Sequence, residues 1–131
     1  MWFMASCIVI KYNELNIVYT DISGASPEES IEVFDRNQQI ISQMPLKSVY
    51  SLVNAADARF NSNLIQKIKE TVKRNNPHSK ATAVCGLNAL SRLMVNSIIA
   101  FTGRQMKLVD TAEEGKEWLY KKYKESLLVP S

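Results

Sequence analysis

Three short apolar runs constrain this chain most: KSVYSLVN (47–54), ATAVCG (81–86) and MKLVD (106–110). None shows a clean alternation of polar and apolar residues, which is the pattern of strands covered on both faces. Each is followed by a segment of helical length and period, too long for a hairpin. Strands joined through helices run parallel and build a layered α/β sheet.

Two further runs precede them. SCIVIKY (6–12) and LNIVYTDI (15–22) are rich in β-branched residues and meet at Asn13-Glu14, so an antiparallel hairpin is predicted. Ser26 with Glu29 forms a capping box, and Pro27 takes the first helical position, where its missing N–H costs nothing. The helix that follows turns Ile31, Phe34, Ile41 and Met44 to a core and Glu28, Glu32, Arg36 and Gln39 to water, until Pro45 stops it. A second helix carries Leu64, Ile65, Ile68 and Val72 on one stripe and ends at Asn75-Asn76-Pro77. A third covers 87–102 and closes at Gly103; Thr111 with Glu114 opens a fourth through Trp118, Leu119, Tyr120 and Tyr123. The predicted order is β-β-α-β-α-β-α-β-α: a five-stranded mixed sheet with four helices.

The 131 residues fit one domain spanning 1–131, long enough for a core without disulfide or metal staples. Cys7 and Cys85 each sit in an apolar run, where buried free thiols are favoured over a bridge. The opening MWFMASCIVI lacks the basic leader of a signal peptide and is far shorter than the ~20 residues of a membrane span, so a cytoplasmic protein without a transmembrane segment is expected.

Nothing in the sequence supplies catalytic equipment. The single histidine, His78, lies in the polar loop NNPHSK, where a solvated imidazole is expected rather than a general base. No glycine-rich phosphate cradle and no zinc-ligand spacing occurs, and the pairs Glu28/Glu29 and Glu113/Glu114 belong to first helical turns. The expectation is a binding protein, not an enzyme, with no cofactor and no metal.

Three features suit binding. The first is the loop bearing Asp57, Arg59, Asn61 and Ser62 at a helix start, readable as plain N-capping by Asn61 or Ser62, or as an anion or partner site. The second is the basic stretch from Arg59 to Lys107. It holds nine Lys or Arg residues against Glu70, within a half (59–131) of net charge +7 that follows a first half of −4. A solvated helix face is the favoured reading of these bases. Only Phe60 and Phe101 interleave with them, so as a binding surface they suit an acidic protein or anionic lipid better than nucleic acid. The third is the helix 87–102. Asn88, Ser91, Arg92, Asn96 and Ser97 form a narrow polar strip there, and apolar residues occupy the remaining circumference. Leu90, Met94, Val95, Ile98 and Ile99 are the candidate partner or ligand surface, with Val95 and Ile99 at its margin. Its occupant would be a protein partner, a second copy in a homodimer, or a hydrophobic ligand.

YTDISGASPEESIEVF (19–34), SVYSLVNAADARFNSNLIQKIKE (48–70) and ATAVCGLNALSRLMVNSIIAFTGRQMKLVDTAEEGKEWL (81–119), taken in order, resemble the STAS domain superfamily. The likeness is to its stage-II-sporulation anti-anti-sigma-like (SpoIIAA-like) branch of small stand-alone proteins. It implies a STAS-like fold and a non-enzymatic regulatory role in protein–protein interaction. Signalling members carry a phosphorylatable Ser or Thr after an Asp at the start of the helix that follows the third strand. The matching stretch is Phe60–Leu64, where Ser62 is the only hydroxyl and Asn61 precedes it.

Overall fold

A computed structural model describes residues 5–102 and 105–128. Residues 1–4, the expected helix stop Gly103, Arg104 and the side chain of Phe101 lie outside the described set. The order of elements is the predicted one. β1 (Ser6–Tyr12) and β2 (Leu15–Asp21) are followed by α1 (Pro27–Ser42), β3 (Val49–Asn54), α2 (Ser62–Asn75) and β4 (Ser79–Cys85). α3 (Ala89–Thr102), β5 (Met106–Val109) and α4 (Ala112–Leu128) complete it.

The hairpin pairs β1 and β2 antiparallel over all seven residues of each strand, from Ser6 with Asp21 to Tyr12 with Leu15. Asn13, with φ at 53°, takes the left-handed turn position that asparagine tolerates. From β2 onward every pairing is parallel, and the strands stand in sequence order across the sheet. That monotonic order has a consequence. Three crossovers advancing in the same direction, each right-handed, must put α1, α2 and α3 on one face. Val18, Ile22, Val49 and Val84 of that face accordingly pack with Phe34, Ile41, Leu64 and Val95. Among the described residues the other face has only α4, whose Leu119 is fully buried against Ile17, Leu52 and Ala83.

The α1 capping box forms as predicted: Ser26 Oγ accepts from Glu29 N–H at 3.2 Å, and Ser26 N–H donates to Glu29 Oε1 at 3.0 Å. Its core stripe is wider than the apolar residues alone, because Ser30, Val33 and Asn37 are buried beside Phe34 and Ile41. Asn37 is held from both sides. It donates to Thr20 Oγ1 at 2.9 Å and accepts from Asn75 Nδ2 at 2.7 Å, so β2, α1 and α2 are joined inside the core. Asn75, where α2 ends as predicted, is thus buried. A satisfied buried amide fixes the relative setting of the elements it bridges.

Cys7 and Cys85 are free and buried. They lie on opposite faces and on strands separated by two others, roughly 14 Å at ~4.8 Å per strand, so a bridge between them is sterically excluded. Burial pushes both thiols above the ordinary range. His78 is half-buried, not simply solvated: its Nδ1 lies 2.8 Å from the carbonyl oxygen of Met44, tying the turn before β4 to the end of α1.

Candidate functional site

The carboxyl ends of β2, β3 and β4 deliver three loops to one crest, the usual place for a site on an open α/β sheet. The middle loop is pinned on both sides. Gly24 N–H donates to Ala56 O at 2.8 Å, and Ala55 N–H donates to Cys85 O at 2.9 Å. Within the loop, Ala56 N–H donates to Asn54 Oδ1 at 3.2 Å, and Asp57 adopts φ 57°, which Asp accepts more readily than most residues. Gly86 explains how closely the next loop approaches. Its φ is 84°, and a Cβ there would lie 2.7 Å from both Cα and N of Ala56, a space only hydrogen can fill.

The four predicted loop residues are therefore gathered on one rigid rim, and all four are exposed. The capping role falls on Asn61, whose Oδ1 accepts from Leu64 N–H at 2.9 Å; Ser62 is the first helical residue and presents its hydroxyl to solvent. Arg59 is anchored by its backbone, N–H to Ala25 O at 3.2 Å, beside the start of α1. There Glu29 is held below its ordinary carboxylate range, first by the Ser26 N–H, then by the Ser26 side chain, and least by the Arg59 charge. The rim thus carries charge of both signs, Glu29, Arg59 and Asp57, together with the exposed Ser62.

The α3 helix begins on the same crest, with Asn88 Oδ1 accepting from Ser91 N–H at 2.9 Å. Its five predicted surface residues divide. Val95 and Ile98 face inward, at 8% and 4% exposure, and with Phe34, Phe60, Ile68 and Met106 they line an apolar cavity of about 70 Å³. Val95 therefore does not sit at the margin of an outer surface. Met94 and Ile99 are half-buried, and Leu90 projects outward at 68%. Leu93, absent from the predicted set, joins it at 69%. The reason is Ser91, assigned to the outer polar strip but buried in fact. Ser91, Val95 and Ile98 share one helical face, which turns Leu90 and Leu93 to solvent.

The basic stretch is less available than its composition suggests. Lys67 pairs with Asp35 of α1 at 2.6 Å, Arg74 with Glu70 at 3.6 Å, and Arg92 with Asp110 at 2.8 Å. The Asp35 hydrogen bond pushes the Lys67 ammonium above its ordinary range. Asp35 and Asp110 flank the stretch from outside it, so only the fold reveals the pairing. Among the described residues no cluster of three His, Cys, Asp or Glu could hold a metal ion, and no helix is long and apolar enough to cross a membrane.

A protein of the DUF3478 family from Shewanella loihica PV-4, described as uncharacterized and as having a SpoIIAA-like fold, superimposes with a TM-score of 0.71. The match spans 88% of this chain and 94% of that one at 9% identity. The fold is SpoIIAA-like. An anti-sigma-factor antagonist (STAS) domain protein from Planctomyces limnophilus shares the architecture, with a TM-score of 0.61 and 14% identity over 88% of this chain and 99% of that one. The sequence matches no protein-family model and no curated protein. On a SpoIIAA-like sheet the loop before α2 takes its place at the carboxyl end, where Asn61 and Ser62 are found here. The structure adds two elements to the predicted site: the outward Leu93, and the start of α1 at Ser26 and Glu29. Their only sequence signals were a helical period and a capping box, both of which serve folding as well.

Proposed function

We propose that the chain is a single STAS-like regulatory module without catalytic activity, working in the cytoplasm, that docks a protein partner through the crest and the adjoining outer face of α3. The observation that carries this reading is the exposure of Leu90 and Leu93 on the first two turns of α3, beside the rim of Asp57, Arg59, Asn61 and Ser62. A small apolar patch flanked by exposed charges of both signs has the anatomy of a protein interface core and rim. The two buried free thiols suit a reducing compartment.

A photocrosslinking residue at position 90, compared with one at exposed Lys121 of α4, tests the reading in cells. Adducts confined to position 90 and abolished by Arg59→Glu support it. Equal labelling at both positions, or none at either, refutes it. A hydrophobic-ligand carrier is the second reading, supported by the cavity under α3. At about 70 Å³ it falls well short of the roughly 300–1,000 Å³ of ordinary ligand sites, so a lipid would require α3 to move outward. Native mass spectrometry of protein purified from cells separates the two: retained ligand mass favours the carrier.

A further inference from the structure

The two edges of the sheet differ sharply. β5 is four residues long and carries the exposed Lys107, features that discourage further pairing. β1 is seven residues long, pairs with β2 without a bulge, contains no proline, and carries one charge, Lys11. Adjacent residues Ile8 and Val9 point to opposite faces, yet both are half-exposed, at 50% and 47%. α1 covers Cys7 on one face and Tyr120 of α4 meets Tyr12 on the other, but the middle of the edge at Ile8 and Val9 stays open. The backbone N–H and C=O groups on that side are an open template for a strand.

We propose that β1 pairs antiparallel with β1 of a second copy, around a two-fold axis through Val9, to give a continuous ten-stranded sheet. The strand is self-complementary in that register. Val9 meets Val9 and Ile8 meets Ile10, so the centre of the junction is apolar on both faces, while Cys7 meets Lys11 and Ser6 meets Tyr12 at its ends. The charges select the same arrangement. Parallel pairing in register would stack Lys11 on Lys11. The two-fold register offsets the two lysines by four residues, roughly 14 Å at ~3.4 Å per residue, beyond the ~8 Å screening length of physiological salt. Pairing β1 with β5 of the next molecule would join unequal strands and propagate an open filament, whereas the two-fold closes. The junction draws on backbone hydrogen bonds and few side chains, so it is a small interface and a weak, concentration-dependent dimer is expected.

Sedimentation of the full chain over a wide concentration range tests this. The expected result is a reversible dimer that becomes monomeric in the variant Ile8→Lys/Val9→Lys, with circular dichroism unchanged, and that persists in Leu93→Glu. A wild-type chain that stays monomeric throughout overturns the proposal. So does a dimer that survives the β1 changes and dissociates with Leu93→Glu, which would place the contact on α3. If the double variant does not fold, Val9→Cys provides the second test. Directly opposed Cβ atoms lie ~4.5–5.5 Å apart in an antiparallel pair, so a short bis-maleimide should join the two introduced thiols into a covalent dimer, whereas Leu90→Cys should give none. Failure of Val9→Cys to crosslink overturns the proposal, because the buried native thiols do not compete.

Discussion

Gly86→Ala is the sharpest test of the crest. The substitution adds one methyl group at φ 84°, where it would meet Ala56 Cα and N at 2.7 Å and Ala56 Cβ at 2.9 Å. Two costs follow. An L-residue in the left-handed region is strained by roughly 1–2 kcal/mol. The clash with backbone cannot be relieved by a rotamer, and forcing a packed site apart costs roughly 1–3 kcal/mol more. Retreat of the loop would also stretch the Gly24–Ala56 and Ala55–Cys85 hydrogen bonds, at 2.8 and 2.9 Å, so the total is about 2–5 kcal/mol. Gly24→Ala is the internal control. It has nearly the same φ, 66°, but nothing within 4 Å of the added methyl, so only the strain of about 1–2 kcal/mol applies. Urea unfolding of both variants, read at constant slope, gives the difference directly. If Gly86→Ala costs no more than Gly24→Ala, the two loops are not in the contact described and the rim is not rigid.

Asn61→Ala should cost about 0.5–2 kcal/mol by the same assay, because Asn61 caps α2, whereas Ser62→Ala should stay within about 0.5 kcal/mol. Equal costs would return the cap to Ser62. Stability should also fall on acidification through Glu29. Its folded value lies below the ordinary 4.5, so the unfolded chain binds the proton first; the contribution is complete above 4.5 and is lost as pH drops through the lowered folded value. Urea midpoints from neutral pH down to about pH 3 should show a shallower decline in Glu29→Gln than in the wild type.

The alternation of strands and helices was legible because the signals are local. Ser26 and Glu29 are three residues apart, and buried strands such as VYSLVN differ in period from the helices around them. The inner polar joint was not legible, because Asn37 and Asn75 are 38 positions apart and each alone resembles an ordinary polar residue. Asn37 did lie on the Phe34–Ile41 stripe, which was a usable sign of burial. The rotation of α3 failed for a different reason. A helix apolar on most sides has no orienting stripe, so the setting is decided by what Ser91, Val95 and Ile98 meet on the sheet. The loop residues Asp57, Arg59, Asn61 and Ser62 were found by composition, but that Asn61 caps could be decided only by its bond to Leu64 N–H.

The one-directional strand order also shapes how the chain can fold as it is made. Each β–α unit on the three-helix face packs against the unit just before it, so that face can assemble step by step during synthesis. The opposite face has no such option. Ile17, Leu52 and Ala83 wait for Leu119, contributed by the last of the nine elements. Throughout elongation the nascent chain therefore presents one finished side and one sticky side, and α4 is the latch that closes the second.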